Sequence, residues 1–228
     1  MSLATVLSAR DLSKTYTRGS ETVHAVDHAT LTVTEGELIA VVGPSGSGKT
    51  TLLNLIAGWE RPDTGEALLL GNPASDERTW AEIAVVPQTL GLLEELTIEE
   101  NVALPLFLAG HGGRSRRLDV LLDELGLSAL RDRRPEEVSL GEQQRTALAR
   151  ALVCDPRLVL ADEPTGHQDA VWARGVFKAL EHAREAGTAC LVATHNEEVL
   201  RHFDRVVHVQ DGRIVDAVPR GSISDERR

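Results

Sequence analysis

The chain has 228 residues, enough for one large domain with a subdomain, and its 42% hydrophobic content supports a folded core. Aromatic residues make up only 3%, so that core must rest on Leu, Val, Ala and Ile. A formal net charge of −11 repels phosphate backbones and acidic lipid, which argues against nucleic acid as a partner and requires any anion site to be built locally.

The N-terminal stretch "MSLATVLSARDLSKTY" lacks the basic segment followed by an apolar one that marks a secretory signal. No apolar run approaches the roughly 20 residues needed to cross a bilayer. Cys154 and Cys190 stand far apart in apolar stretches, and read as reduced, buried thiols of a cytoplasmic chain. The 24 basic residues include only three lysines, Lys14, Lys49 and Lys178.

In chain order, "TVLSARDLSKTY", "HAVDHATLTVT" and, after "RPDTG", "EALLLG" alternate apolar and polar residues, predicting strands of an antiparallel sheet. Between them "ELIAVVG" is nearly all apolar, as in a strand buried on both faces. It leads through "PSGSG" into "KTTLLNLIAG", whose spacing is helical and which stops at Gly58. From about residue 92 to 154 the pattern is helical. "LTIEENVALPLFLAG" opens on a Thr97 cap with Glu100 three residues on, "RRLDVLLDELGL" follows, and "GEQQRTALARALV" comes after a proline-containing linker. Apolar strands then return as "RLVLAD", "ACLVATH", "RVVHVQDG" and "RIVDAV", read as parallel-type, with the amphipathic helix "AVWARGVFKALEHAREAG" between the first two. The expectation is a single α/β domain over 1–228, with a mixed sheet, an N-terminal antiparallel β-subdomain, an inserted α-helical subdomain and a frayed tail at 221–228.

The stretch "GPSGSGKT" fits a phosphate-binding loop: Gly43, Pro44, Ser45, Gly46, Ser47, Gly48, Lys49 and Thr50, with Thr51 behind them. Its glycines let successive backbone N–H groups face phosphate oxygens. Lys49 reaches the β and γ phosphates, and the Thr50 hydroxyl can ligate Mg²⁺. The plain alternative is a glycine turn before a helix, but that leaves unexplained why one of three lysines stands there. In "RLVLADEP", Asp162 at a strand end suits an outer-sphere Mg²⁺ contact, and Glu163 suits a base for an attacking water. Read alone, the pair also fits a solvated acidic turn.

His195 ends the strand "ACLVATHN", where α/β sheets place their ligand sites, though a lone histidine is usually structural. Gln88 in "AEIAVVPQTLG" could touch Mg²⁺ and sense a moving neighbour, or be ordinary loop. Tyr16, the only tyrosine, could stack on a base or be a common strand aromatic.

In this order the motifs resemble the nucleotide-binding subunit of ATP-binding cassette transporters over essentially the whole chain. The resemblance implies a P-loop NTPase core and an ATPase with ATP and Mg²⁺ as cofactors. It implies Tyr16 as the adenine-stacking aromatic, Gly43 to Thr50 as Walker A, Gln88 as the Q-loop, Asp162 and Glu163 as Walker B and catalytic base, and His195 as the switch histidine. "VSLGEQQR" falls at the family's signature, which closes over ATP held by a second, head-to-tail subunit. Ser139 would offer a hydroxyl, Gly141 a backbone N–H, and Glu142 stands where Gln is commoner.

Two positions depart from the family pattern: Leu140 replaces the signature's first glycine, and Gln168 precedes Asp169 where an apolar residue is usual. "ETVHAVDHATLTV" and "LTIEENVALPL" look like the branch that includes macrolide-efflux and lipoprotein-releasing ATPases. That implies a membrane-associated chain at the cytoplasmic face, partnered by a second cassette subunit and a transmembrane permease. The permease would dock between Gln88 to Leu96 and the helical insertion. An importer subunit and a non-transport cassette ATPase are the alternatives. A small-molecule P-loop kinase explains Walker A but not Glu163, His195 and the signature together.

Overall fold

The computed structural model of the chain describes residues 3–75, 77–113, 115–166 and 170–219. Gln168, Asp169 and the tail from 221 lie outside the described residues. Among those described, the strands form two sheets. In the smaller, β1 (Thr5–Arg18) pairs antiparallel with β2 (Glu21–Thr34) on one edge and β4 (Thr64–Leu69) on the other, and β4 pairs with the short β5 (Asn72–Pro73). One face meets the core: in β2, Ala29, Leu31 and Val33 are buried while Thr30 and Thr32 between them are exposed. This is the alternation of a sheet with one wet face.

The larger sheet has the order β10-β9-β3-β8-β7-β6, from β3 (Leu38–Val42), β6 (Ile83–Val86), β7 (Leu158–Asp162), β8 (Ala189–Thr194), β9 (Arg205–Gln210) and β10 (Arg213–Pro219). Every residue of β3, β7 and β8 is buried, because both faces are covered. Ile39 and Val41 join the core shared with the antiparallel sheet and α1 (Lys49–Ala57). Leu38, Ala40 and Val42 join the opposite core, built with α2 (Ile98–Leu108), α3 (Arg116–Glu124), α4 (Leu140–Leu152) and α5 (Ala170–Glu185).

Strands β9, β3, β8, β7 and β6 run parallel, but β10 is antiparallel to β9, against the parallel reading of "RIVDAV". The cause is local. Asp211 and Gly212 both have positive φ, 49° and 79°, the backbone of a two-residue hairpin turn that reverses the chain at once.

Helices α2, α3 and α4 lie between β6 and β7. The Thr97 cap is reciprocal: Glu100 N–H donates to Thr97 Oγ1 at 3.2 Å, and Thr97 N–H donates to Glu100 Oε2 at 2.8 Å. Both cysteines are free. Cys190 is fully buried and Cys154 partly so, and burial pushes the Cys190 thiol up to about 12. Among the described residues no helix is long and apolar enough to cross a membrane.

Candidate nucleotide site

Parallel register brings the chemistry together. Val42 of β3 pairs with Thr194 of β8, and Asp162 of β7 pairs with Ala193, so the loops after these strands open side by side at the sheet's carboxyl edge. After Val42 the chain turns into the loop that starts α1. A Cβ on Gly43 would sit 2.1 Å from the Val209 carbonyl oxygen, and one on Gly48, at φ 102°, would sit 2.0 Å from that of Ala25. Neither position can carry a side chain without moving backbone.

The result is a cavity of about 580 Å³. One wall is Ser45, Gly46, Ser47, Gly48, Lys49, Thr50 and Thr51. Asp162, Glu163, His195 and, from the segment after β6, Gln88 line the cavity as well. Lys49 is 9% exposed, and its Nζ donates to the carbonyls of Gly43 at 2.8 Å and Pro44 at 3.0 Å, which places these two residues behind the wall. Ser47 Oγ is buried with no hydrogen-bond partner among the described residues. Together with the first-turn N–H groups of α1, which as at any helix start have no acceptor within the helix, this donor set suits a phosphate chain.

Thr50 Oγ1 donates to Asp162 Oδ2 at 2.6 Å. The hydroxyl, the carboxylate and nearby Gln88 are hard oxygen donors of the kind Mg²⁺ takes alongside phosphates and water. Among the described residues no group of three or more His, Cys, Asp or Glu could hold a metal by itself, so a cation here would need oxygens from the nucleotide. The residues fit the ion on those terms.

Glu163 has φ 53°, a left-handed conformation held by its N–H donating to the Ala193 carbonyl at 2.9 Å and its carbonyl accepting from Gly166 N–H at 3.1 Å. That turn puts the Glu163 carboxylate on the cavity wall, with Oε1 2.7 Å from His195 Nδ1. The glutamate side chain is 19% exposed and the histidine 72%.

Tyr16 and the signature do not line this cavity. The Tyr16 hydroxyl donates to the Glu60 carboxylate, and partial burial together with that carboxylate pushes the phenol up to about 12. Its cross-strand partner Val23, rather than the ring, lines the cavity, with Ala25. Ser139 is the exposed N-cap of α4, and its hydroxyl donates to Glu142 Oε2 at 2.8 Å. Neither Ser139, Gly141 nor Glu142 lines the cavity of its own chain.

Asn101, fully buried in α2, escaped the sequence reading. Its Nδ2 donates to the carbonyls of Leu93, Leu96 and Thr97 at 3.0–3.1 Å, and its Oδ1 accepts from Leu93 N–H at 2.8 Å, so it pins the segment that follows Gln88. A polar residue on the stripe of Ile98, Val102 and Pro105 was the available signal.

Comparison with known proteins decides what this arrangement belongs to. The family profile described as "ABC transporter" matches residues 26–166. The chain belongs to the ATP-binding cassette transporter family. It is 41% identical over 229 residues to the lipoprotein-releasing system ATP-binding protein LolD of Pseudomonas fluorescens, covering 94% of this chain and 99% of that protein. It is 38% identical over 231 residues to an uncharacterized ABC transporter ATP-binding protein of Mycobacterium tuberculosis, covering 97% and 93%. Among solved structures it resembles the dimeric post-hydrolysis state of the cassette MJ0796 bound to ADP and Pi, with a TM-score of 0.86 and 31% identity over 94% of this chain and 98% of that one. This chain is thus an ATP-binding, ATP-hydrolysing cassette subunit, of a family whose ATPase subunits dimerise and pair with transmembrane components.

Proposed function

We propose that the chain hydrolyses MgATP in the cavity between the phosphate loop and the ends of β7 and β8, as half of a head-to-tail pair that drives a separate transmembrane subunit in extrusion. The observation that carries this is the convergence of Lys49, Thr50, Gln88, Asp162, Glu163 and His195 on one cavity, with Thr50 bonded to Asp162 and His195 to Glu163. Lys49 and the loop N–H groups bind the β and γ phosphates. Glu163 accepts a proton from the attacking water. As that oxygen bonds to the γ-phosphorus, the bond to the β–γ bridging oxygen breaks, leaving ADP and phosphate. His195 holds the Glu163 carboxylate in place. Thr50, Asp162 and Gln88 are the residues that would hold Mg²⁺, which neutralises phosphate charge when bound.

The exposed position of Ser139 and Leu140, outside their own chain's cavity, supports the paired arrangement in which Ser139 and Gly141 serve the partner's nucleotide. For the transmembrane subunit we favour, in place of the groove beside Gln88 to Leu96 expected from the sequence, an apolar cavity of about 410 Å³ lined by Trp80, Pro105, Leu106 and Leu108, at the end of α2 where Phe107 and Leu108 are 68% and 66% exposed. Extrusion rests on the likeness to the lipoprotein-releasing relatives.

The Glu163→Gln variant tests the site. It should bind ATP, lose about 10²–10⁴-fold in turnover, the usual range for a general base, and run as a nucleotide-trapped dimer in size-exclusion chromatography. Normal turnover removes Glu163 from the base role.

A further inference from the structure

Arg150 stands in the last turn of α4, the helix that Ser139 caps, and is 6% exposed. Its two terminal nitrogens both donate to one turn: Nη1 to the Gly91 carbonyl and Nη2 to the Leu90 carbonyl, each at 2.7 Å. The guanidinium carbon lies 5.9 Å from the centre of the Trp80 ring. Burial lowers the group's pKa, and the charge meets the dipoles of these two carbonyls, while its buried Nε has no hydrogen-bond partner among the described residues. Buried arginines are usually paired with acids, and two adjacent carbonyls held by a planar fork are a geometric match that a lysine's point charge lacks.

The turn so held begins two residues after Gln88. Leu90 and Leu92 pack on the helical core, and Asn101 pins Leu93 to Thr97. Arg150 therefore fixes the near end of the segment and Asn101 the far end. Gln88 itself lines the nucleotide cavity. From Ser139 to Arg150 is 11 residues along one helix, about 16 Å at 1.5 Å each, with no break among them.

We propose that Arg150 is a positioning residue for the nucleotide cavity: it clamps the Leu90–Gly91 turn to the end of α4, so that Gln88's place at the nucleotide is set by the helix whose other end carries Ser139. This rests on the reading that Gln88 serves the nucleotide. A movement at the signature then reaches Gln88 through one rigid element and two hydrogen bonds.

The test is a double-mutant cycle on the full chain, with steady-state phosphate release against MgATP and a thermal melt for each variant. Arg150→Met keeps bulk and removes the fork. It should lower kcat about tenfold or more and leave KM within about threefold, since the phosphate loop is untouched. Gln88→Ala should lower kcat comparably, and the double variant should be no slower than the slower single one by more than about twofold, because both changes remove one function. An Arg150→Met enzyme with normal kcat, a raised KM at unchanged kcat, or fold-losses that multiply in the double variant overturns the proposal while leaving Gln88's role intact. Normal kcat in Gln88→Ala overturns that role and the proposal with it. If Arg150→Met fails to fold, Arg150→Lys carries the same cycle: a reduced kcat that does not multiply with Gln88→Ala is expected, and wild-type kcat refutes the clamp.

Discussion

Leu140→Gly asks whether a leucine inside the signature impairs ATP turnover. Leu140 is the first residue of α4 and is 47% exposed. The contacts around it do not use its side chain: Ser139 N–H and Oγ donate to Glu142 Oε2 at 2.7 and 2.8 Å, and Glu142 N–H donates to Ser139 Oγ at 3.3 Å. Losing a half-covered leucine removes about 1 kcal/mol, half of the roughly 1.5–3 kcal/mol for full burial. Glycine's freedom in a helix adds up to about 1 kcal/mol, less at the first position. The melting temperature should fall by roughly 2–8 °C, at about 2–4 °C per kcal/mol for a chain of this size. Turnover should change less than about threefold, because a hydroxyl and a backbone N–H are the donors offered. The assay is phosphate release at saturating MgATP, with the melt recorded separately. A rise above about tenfold, worth roughly 1.4 kcal/mol of barrier, would show that the leucine obstructs the approach to ATP and would refute this reasoning.

Lys49→Ala should abolish detectable nucleotide binding in a fluorescent-ATP titration while the melt stays near that of the parent, and unchanged affinity would sink the phosphate-loop assignment. Asn101→Ala should lower stability by about 1–3 kcal/mol, because it takes the side-chain partner from Leu93 N–H and the Leu96 carbonyl, while the Leu93 and Thr97 carbonyls still accept from backbone N–H groups. A melting temperature within about 2 °C of the parent would mean that water takes over those bonds.

The phosphate loop, Asp162, Glu163 and His195 were legible because each sits where an apolar run ends, and the run itself marks a strand buried on both faces. Their convergence follows from parallel pairing, which places strand ends together. The hairpin at Asp211 and Gly212 carried its own turn signal, yet both flanking runs are apolar enough to pass for parallel strands. Val23 and Ala25 gave no signal. They reach the cavity because Gly48 packs against the Ala25 carbonyl, a contact between segments more than 20 residues apart. Asn101 and Arg150 read as polar points on helices, and only tertiary packing shows that one faces carbonyls of the Q-loop segment from inside α2 and the other from inside α4. Tyr16 stood out as the lone tyrosine, but which neighbour takes its hydroxyl, here Glu60, depends on how α1 ends beside β1.

On the paired reading, the signature cap has to change partners when ATP arrives. In the isolated chain Glu142 accepts from both donors of Ser139, the N–H and the hydroxyl, so the hydroxyl is already spent on a carboxylate. A γ-phosphate brought to the same helix start meets that negative charge at short range, and like charges within a few ångströms repel strongly where water is excluded. The phosphate must therefore displace the carboxylate from Ser139 Oγ, taking over the hydroxyl while the helix dipole stays the same. Glutamine at this position would keep the reciprocal cap without the charge. Glu142→Gln should then tighten ATP-dependent dimerisation of the Glu163→Gln chain, and increasingly so at low salt where the repulsion is least screened. Dimerisation that is equally strong with either residue, at every salt concentration, would mean that the carboxylate has already turned away from the approaching phosphate.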